Sequence, residues 1–113
     1  MIIYKITNKE NGKMYIGQTI NSIEDRWHRH CSDAMNNILD THFARAIRLY
    51  GVDNFSYEII DTASNQEELT AKEQYWIRYY NSVNEGYNET DATYKSGGNT
   101  YKKKTEEELK VIK

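Results

Sequence analysis

The first twenty residues constrain the fold most, because they contain two short β-rich segments separated by an Asn-Gly pair. Residues 2–7 (IIYKIT) alternate between faces, and residues 13–18 (KMYIGQ) form a second segment of strand-forming residues. Asn11-Gly12 is a strong turn signal, since a type I′ turn needs positive φ at both central positions. The sequence therefore predicts a β-hairpin with a two-residue turn at the start of the chain.

Each predicted arm of this hairpin carries a tyrosine. Because side chains alternate along a strand, Tyr4 shares a face with Ile2 and Ile6, and Tyr15 shares one with Gly17. Tyrosine favours strands, so packing of an amphipathic strand would by itself account for both residues. The placement raises the further possibility of two phenols in one site.

Capping residues and apolar periodicity predict the elements that follow the hairpin. The first is a helix that follows a capping box at residues 22–25 and runs to about Asn36, and the second is a helix over residues 42–50, capped by Asp40 or Thr41 and ended by Gly51. A strand over residues 55–61 comes next, with Phe55, Tyr57 and Ile59 on one face. A helix from about Gln66 to Tyr80, capped by Asn65, and a loop over residues 81–101 complete the order. The order predicts an α+β fold, a small three-stranded antiparallel sheet flanked by helices. We expect one domain over residues 1–95, followed over residues 96–113 by the start of a linker or a charged C-terminal tail.

Composition excludes several classes of protein. The net charge of −2 argues against a generally basic nucleic-acid coat, although the first fifty residues carry seven Lys or Arg against five Asp or Glu. No apolar run approaches 18 residues, so we expect no membrane span. The single cysteine, Cys31, excludes an intrachain disulfide framework and fits a reducing cytoplasm. It is predicted to be a core residue rather than a nucleophile.

Two predicted helices place polar groups beside an apolar stripe. In the third predicted helix, Glu73 falls on the apolar stripe formed by Leu69, Trp76, Ile77 and Tyr80. An ionised carboxylate facing a core is costly unless it is paired or binds a metal, so an edge position or an arginine partner are structural alternatives. In the first predicted helix, Arg26 and His30 are four residues apart and lie on one face. The structural alternatives to a functional role are a surface charge for Arg26 and a histidine packed beside the core for His30.

These residue types together match phosphodiester hydrolysis. A carboxylate can hold a divalent metal, a guanidinium can stabilise charge on a phosphate, and a basic group can activate water. A structural arginine–glutamate pair would use the same residue types, so spacing alone leaves both interpretations open.

The chain resembles the GIY-YIG endonuclease family, and especially its phage and intron-encoded homing members. The resemblance spans residues 2 to about 94 and rests on five motifs. The first two are Ile2-Ile3-Tyr4, in which Ile2 replaces the family's first glycine, and Tyr15-Ile16-Gly17. The other three are EDRWHRH, which contains Arg26 and His30; AKEQYWI, which contains Glu73; and EGYNETDATY, which contains Asn88. It implies a metal-dependent nuclease that hydrolyses a phosphodiester of double-stranded DNA.

The resemblance also implies a role for each matched residue. Glu73 would anchor one Mg²⁺ or Mn²⁺ ion, and Arg26 would contact the scissile phosphate. Tyr4 is the first choice for the group that activates water, with His30 as the competing candidate. Tyr15 would orient water or phosphate. Gly17 would leave room for substrate close to the backbone, and Asn88 would hold the site together or contact the phosphate.

Homing members usually gain specificity from a separate DNA-binding region joined by a linker. Residues 96–113 resemble the start of such a linker, so we expect a catalytic fragment whose specificity region is C-terminal and absent from this sequence; a free-standing nuclease of low specificity is the alternative. The expected location is the cytoplasm of a bacterial or phage-infected cell. His42 is predicted to be a helix N-terminal histidine in water, and the second active-site histidine that homing members often carry is the alternative. Two rival hypotheses remain: a non-catalytic nucleic-acid-binding module that stacks exposed aromatics on bases, and a protein-interaction domain with a tyrosine-rich surface.

Overall fold

The structure, a computed structural model, describes residues 1–38 and 40–89. In chain order its elements are β1 Ile2–Asn8, β2 Met14–Thr19, α1 Ile23–Met35, α2 His42–Tyr50, a 3-10 helix Val52–Asn54, β3 Phe55–Thr62, α3 Gln66–Tyr80 and α4 Ser82–Glu85. None of the helices in this part of the chain is long and apolar enough to cross a membrane. The order confirms the predicted α+β class, and the predicted domain boundary at residue 95 lies outside the described residues.

The three strands form one antiparallel sheet in the order β2-β1-β3. Helices α1 and α2 cover the face toward which Tyr4 and Ile6 of β1 point. Helix α3 covers the opposite face and packs on Ile3 and Ile16. The sheet therefore separates two apolar clusters, one on each face.

Local signals near the helix ends explain where the helices start. The side-chain oxygens of Ser22, Thr41 and Asn65 each accept a hydrogen bond from a backbone N–H in the first turn of α1, α2 and α3. These bonds satisfy N–H groups that have no partner inside the helix. Of the two predicted caps for α2, the structure selects Thr41, and Gly51 ends the helix with a φ of 89°.

The hairpin turn is longer than the predicted type I′ turn. Asn8 donates its N–H to the Lys13 carbonyl at 2.9 Å, and Gly12 has a φ of 77° while Asn11 does not have positive φ. The reason lies in the asparagine side chains, because Asn8 Oδ1 accepts from Glu10 N–H and Asn11 Oδ1 accepts from Lys13 N–H, both at 2.9 Å. Such local bonds stabilise a wider loop.

Strand β3 is less buried than the predicted pattern suggests. Phe55 is buried against α1 and α2, but Tyr57 is 39% exposed and Ile59 is 52% exposed. A bulge opposite the step between Ile3 and Tyr4 also shifts the pairing register of β3.

The inward face of α3 differs from the predicted stripe. Leu69 and Ile77 are buried as expected, yet the polar Gln74 is also buried, at 1% exposure. Glu73 is only half-buried and lies at the margin of the helix face. The predicted core-facing carboxylate is therefore an edge carboxylate, which avoids most of the cost of burying a charge. The helical turn α4 is a further difference, since it lies within the predicted loop.

Candidate active site

A phenol and an imidazole form the buried centre of the candidate site. The hydroxyl of Tyr4, from β1, lies 2.8 Å from Nε2 of His30, from α1. Tyr4 is 1% exposed and His30 is 9% exposed. The His30 ring packs edge-on against the stacked rings of Tyr15 and Phe43, at centroid distances of 5.2 and 5.1 Å. The aromatic contacts fix the orientation of the imidazole toward the phenol.

Burial, and then the neighbouring Arg26 charge, lower the pKa of His30 to about 3. The imidazole is therefore neutral at neutral pH. In the tautomer that carries its proton on Nδ1, Nε2 is unprotonated and accepts the hydrogen bond that the Tyr4 hydroxyl donates.

Both tyrosines of the site remain protonated at neutral pH. Burial, followed by the proximity of Tyr15, raises the pKa of Tyr4 far above its ordinary value, while Arg26 opposes this through its charge and a hydrogen bond. Burial, followed by the Glu73 charge, raises the pKa of Tyr15 to about 12, and Arg26 again acts in the opposite direction. The charges of Arg26 and Glu73 therefore act on both phenols. The structure thus brings these two residues close enough to Tyr4 and Tyr15 to interact with them electrostatically.

The charged pair comes from opposite sides of the sheet. Arg26 lies on α1, on the side of the Tyr4 cluster, whereas Glu73 lies on α3, on the other side. Glu73 Oε1 accepts a hydrogen bond of 2.6 Å from Nε2 of Gln18, near the end of edge strand β2. The site thus straddles the β2 edge, and Gln18 is a contact residue that the sequence analysis missed. Strand alternation, which puts Gln18 on the Ile16 side, was the available signal.

Gly17 makes room for Tyr4. The two residues are paired across β1 and β2, and a Cβ at Gly17 would overlap the hydroxyl and Cζ of Tyr4. The space that the missing side chain leaves in this structure is therefore occupied by the Tyr4 phenol. The predicted role of Gly17 in leaving room for substrate stays a prediction. Its observed role is to let the Tyr4 phenol pass over β2 at this position.

Replacing Gly17 with alanine is expected to displace the Tyr4 ring. Overpacking of this kind costs about 1–3 kcal/mol of stability, and a misplacement of about 1 Å at a reacting group can lower the rate about 100-fold. Thermal melting and DNA-nicking rates of Gly17→Ala measure the two effects.

The matched control is Gly12→Ala, at an exposed turn position whose new Cβ would meet nothing within 4 Å. Its positive φ makes alanine cost about 1 kcal/mol, so it should lower stability while sparing the rate. Equal nicking rates for the two variants would contradict the role of Gly17 in making room for the Tyr4 ring.

Asn88 fastens the last described segment to the edge of β2. Its Oδ1 accepts from the Ile16 N–H at 2.8 Å, and its Nδ2 donates to the Ile16 carbonyl at 2.9 Å. The Tyr87 N–H donates to the Met14 carbonyl at 2.9 Å. These bonds pair backbone groups that an edge strand leaves open. Of the two predicted roles of Asn88, its contacts support holding the site together.

Cys31 and His42 are two further side chains with reactive groups. Cys31 is half-buried, and burial raises the pKa of its thiol to about 11, which disfavours the nucleophilic thiolate. His42 is exposed at the start of α2, as predicted, with its ring 5.1 Å from that of Tyr87.

The neutral His30 predicts a characteristic acid sensitivity. The folded-state pKa of about 3 lies below the unfolded value, so the unfolded chain binds the extra proton first. Stability is therefore full above about pH 6.5 and falls as the pH drops toward the folded-state pKa. The loss amounts to several kcal/mol, since each unit of pKa difference corresponds to about 1.4 kcal/mol.

Urea unfolding at a series of pH values measures this slope. A His30→Gln variant should flatten the slope, whatever its absolute stability. The exposed His28 supplies the control, because His28→Gln should keep the wild-type slope. A wild-type slope in His30→Gln would contradict the buried neutral imidazole.

The described residues contain no group of three or more His, Cys, Asp or Glu side chains that could hold a metal ion. Glu73 supplies one carboxylate at the open edge. Mg²⁺ commonly takes only one or two protein carboxylates and completes its octahedron with water and substrate phosphates. One half-buried carboxylate therefore fits a magnesium ion shared with a phosphate and does not fit a closed all-protein metal cage.

The sheet, its two helix layers and the side chains at its edge are those of an endonuclease domain. The chain belongs to the GIY-YIG family, whose catalytic domain matches residues 1–88. The predicted family is thereby confirmed.

Relatives and solved structures give the same result. The chain is 31% identical over 106 residues to Intron-associated endonuclease 1 of Enterobacteria phage T4, covering 92% of this chain and 42% of that protein. It is 32% identical over 84 residues to a putative MSV199 domain-containing protein of Invertebrate iridescent virus 6, covering 73% of this chain and 34% of that protein. The chain thus spans less than half the length of these relatives.

Two structures of the I-TevI catalytic domain share the fold. One is a mutant of the catalytic domain of intron endonuclease I-TevI, and the other is the catalytic domain of homing endonuclease I-TevI. Their TM-scores are 0.71 and 0.70, each with 28% identity, and the matches cover 79% of this chain and 92% and 97% of those chains. The predicted three-stranded fold is confirmed by this likeness.

Proposed function

We propose that this domain hydrolyses a phosphodiester bond of double-stranded DNA with the help of one divalent metal ion, as the catalytic part of a homing-type nuclease. The observation that carries the proposal is the Tyr4–His30 hydrogen bond, set in the combined field of Arg26 and Glu73. The names of the relatives add support, since one is an intron-associated endonuclease.

Glu73 is the residue proposed to hold the metal, as Mg²⁺ or Mn²⁺. When bound, such an ion would supply positive charge that stabilises the phosphate as negative charge develops in the transition state. Glu73 contributes the charged oxygen ligand, and its position at the β2 edge leaves the ion accessible to a phosphate.

Tyr4 and His30 are proposed to act as one proton acceptor. The attacking water gives a proton to the Tyr4 oxygen while the Tyr4 hydroxyl proton moves to Nε2 of His30. The water oxygen forms a bond to phosphorus as the bond to the departing oxygen breaks. No free phenolate is needed, which suits the raised pKa of Tyr4.

Arg26 connects substrate binding to this proton transfer. Its charge contributes to the low pKa of His30, and a phosphate bound at the guanidinium would offset that charge. Binding of substrate would thus make His30 more basic when the proton must be accepted. Arg26 would also stabilise the transition state, an interaction worth about 100- to 1,000-fold in rate when one donor is removed.

The remaining site residues support this geometry. Tyr15 packs against His30 and is proposed to orient the water or the phosphate with its hydroxyl. Gly17 admits the Tyr4 phenol, and Asn88 holds the β2 edge.

A plasmid-nicking assay with and without magnesium tests the proposal. We expect conversion of supercoiled to nicked or linear plasmid that needs the metal and stops on chelation. Binding without turnover would favour a non-catalytic nucleic-acid-binding module, and neither binding nor turnover would favour a protein-interaction domain.

The specificity region is proposed to lie after this domain. The net charge of −2 provides little attraction for DNA phosphates, so we expect nicking by these residues alone to be weak. The phosphate contacts that do form are made by Lys and Arg side chains, so nicking should also fall steeply with added salt. Rates measured across a salt series check this, and tight, salt-insensitive binding to one site would contradict it. We propose that the domain acts in the cytoplasm of a bacterial or phage-infected cell, where its DNA substrate lies and an unpaired thiol such as Cys31 is stable.

A further inference from the structure

We propose that Gln18 is a positioning residue that orients the Glu73 carboxylate for metal binding. The inference rests on the proposed metal role of Glu73 and adds a residue to that site. Gln18 lies in β2, opposite Ile3 of the central strand, whereas Glu73 lies in α3. The contact between them therefore ties the metal-binding helix to the edge of the sheet.

Three side chains form a chain of hydrogen bonds that ends at Glu73. Nε2 of Gln66 donates to Oε1 of Gln18 at 2.9 Å and also lies 3.1 Å from Oγ1 of Thr70. Nε2 of Gln18 then donates to Oε1 of Glu73 at 2.6 Å. The last bond is short, as expected when the acceptor is a carboxylate.

The order of donors and acceptors fixes the direction of the Gln18 amide. Turning it over would face its NH₂ toward the NH₂ of Gln66 and its carbonyl oxygen toward the Glu73 carboxylate. Both contacts would then be repulsive. The Glu73 carboxylate, which can only accept, and the donor of Gln66 therefore both favour the amide orientation in which Gln18 presents its NH₂ to Glu73.

This arrangement leaves Glu73 suited to a metal. A carboxylate has two oxygens and about four lone-pair sites, so the bond from Gln18 to Oε1 is compatible with binding a cation. A glutamate side chain loses rotamer entropy when it is ordered, and a preformed hydrogen bond reduces that loss on metal binding. Residues that orient a metal ligand typically change metal affinity about 10- to 100-fold when they are removed.

The contact itself can be tested in the metal-free protein by NMR. In the wild type, the side-chain amide protons of Gln18 should exchange slowly with water, and Glu73→Ala should speed their exchange and shift their signals. The side-chain amide of the buried Gln74 is the internal control and should not respond. Gln18 signals that are indifferent to the loss of Glu73 would overturn the proposal, independently of any nuclease activity.

The consequence can be tested by direct Mn²⁺ binding, measured by electron paramagnetic resonance without DNA. Gln18→Leu should weaken binding about 10- to 100-fold, and should add nothing in a Glu73→Ala background. Gln66→Leu keeps the Gln18–Glu73 contact but removes the hydrogen bond that holds the other end of the Gln18 amide, so it should weaken binding less. The metal dependence of nicking should shift in the same order, while the rate at saturating metal changes little.

The outcomes separate this inference from the proposed function. If the wild type binds Mn²⁺ and nicks DNA, and Gln18→Leu does both with an unchanged metal dependence, only the positioning role is wrong. If the wild type does neither, the nuclease proposal fails and this inference fails with it. Circular dichroism would detect a loss of folding in Gln18→Leu. In that case Gln18→Asn, which keeps the amide on a shorter side chain, should bind Mn²⁺ more weakly than the wild type. An unchanged Mn²⁺ affinity in Gln18→Asn would overturn the proposal.

Discussion

Replacing Glu73 with alanine is expected to abolish metal-dependent cleavage and to leave the fold intact. A metal ion contributes several kcal/mol of transition-state stabilisation, and each 1.36 kcal/mol is a factor of ten, so we expect a loss of at least about 1,000-fold. The fold should persist because Glu73 is half-buried at the margin of α3 and alanine is the best helix former. Single-turnover nicking across a magnesium series measures the rate, and circular dichroism checks the fold.

Glu67→Ala is the matched control for this variant. It removes an exposed carboxylate from the first turn of the same helix, where the helix dipole makes the acid worth about 0.3–1 kcal/mol. We expect a small loss of stability and unchanged cleavage. Wild-type turnover by Glu73→Ala would exclude the metal role, whereas an equal loss in Glu67→Ala would point to the overall charge of the helix.

The secondary structure was predictable because its signals are local. The strand at Tyr4 follows from alternation, and α1 follows from its cap at Ser22 and its apolar period. The turn at Asn11 was predicted wrongly for the same reason, since a propensity for positive φ does not reveal the competing side-chain bonds that widen the loop.

The arrangement of the site could not be worked out from spacing alone. Helical periodicity put Glu73 on the apolar stripe, but which sheet face α3 covers, and how close it lies to the β2 edge, are tertiary facts. The meeting of Glu73 with Arg26 and the tyrosines was expected only from the family resemblance. Gln18 escaped notice because its importance depends on a partner 55 residues away.

The Tyr4–His30 pair gives a second large expected effect. Tyr4→Phe keeps the buried ring but removes the hydroxyl that passes the proton to His30, 2.8 Å away. Proton transfer by a positioned group typically contributes about 100- to 10,000-fold, so turnover should fall within that range. The metal dependence of the remaining activity should not change, because Glu73 is untouched. Single-turnover rates at saturating metal measure the effect.

The control for lost packing and hydrogen bonding is Tyr87→Phe. Tyr87 is as buried as Tyr4, and its hydroxyl accepts a hydrogen bond of 3.0 Å from Asn8, on the side of the cluster near the hairpin turn. Its substitution should cost about 1–3 kcal/mol of stability, because it leaves a buried donor unpaired, and should spare turnover.

A double-mutant cycle distinguishes a relay from two independent groups. If Tyr4 and His30 act as one proton acceptor, adding His30→Gln to Tyr4→Phe should lower the rate little further, because residues that act as a unit are not additive. Losses that multiply would assign the two residues separate tasks. Near-normal turnover by Tyr4→Phe together with a large loss in His30→Gln would transfer proton acceptance to the imidazole alone, which its position beside the phenol would still allow.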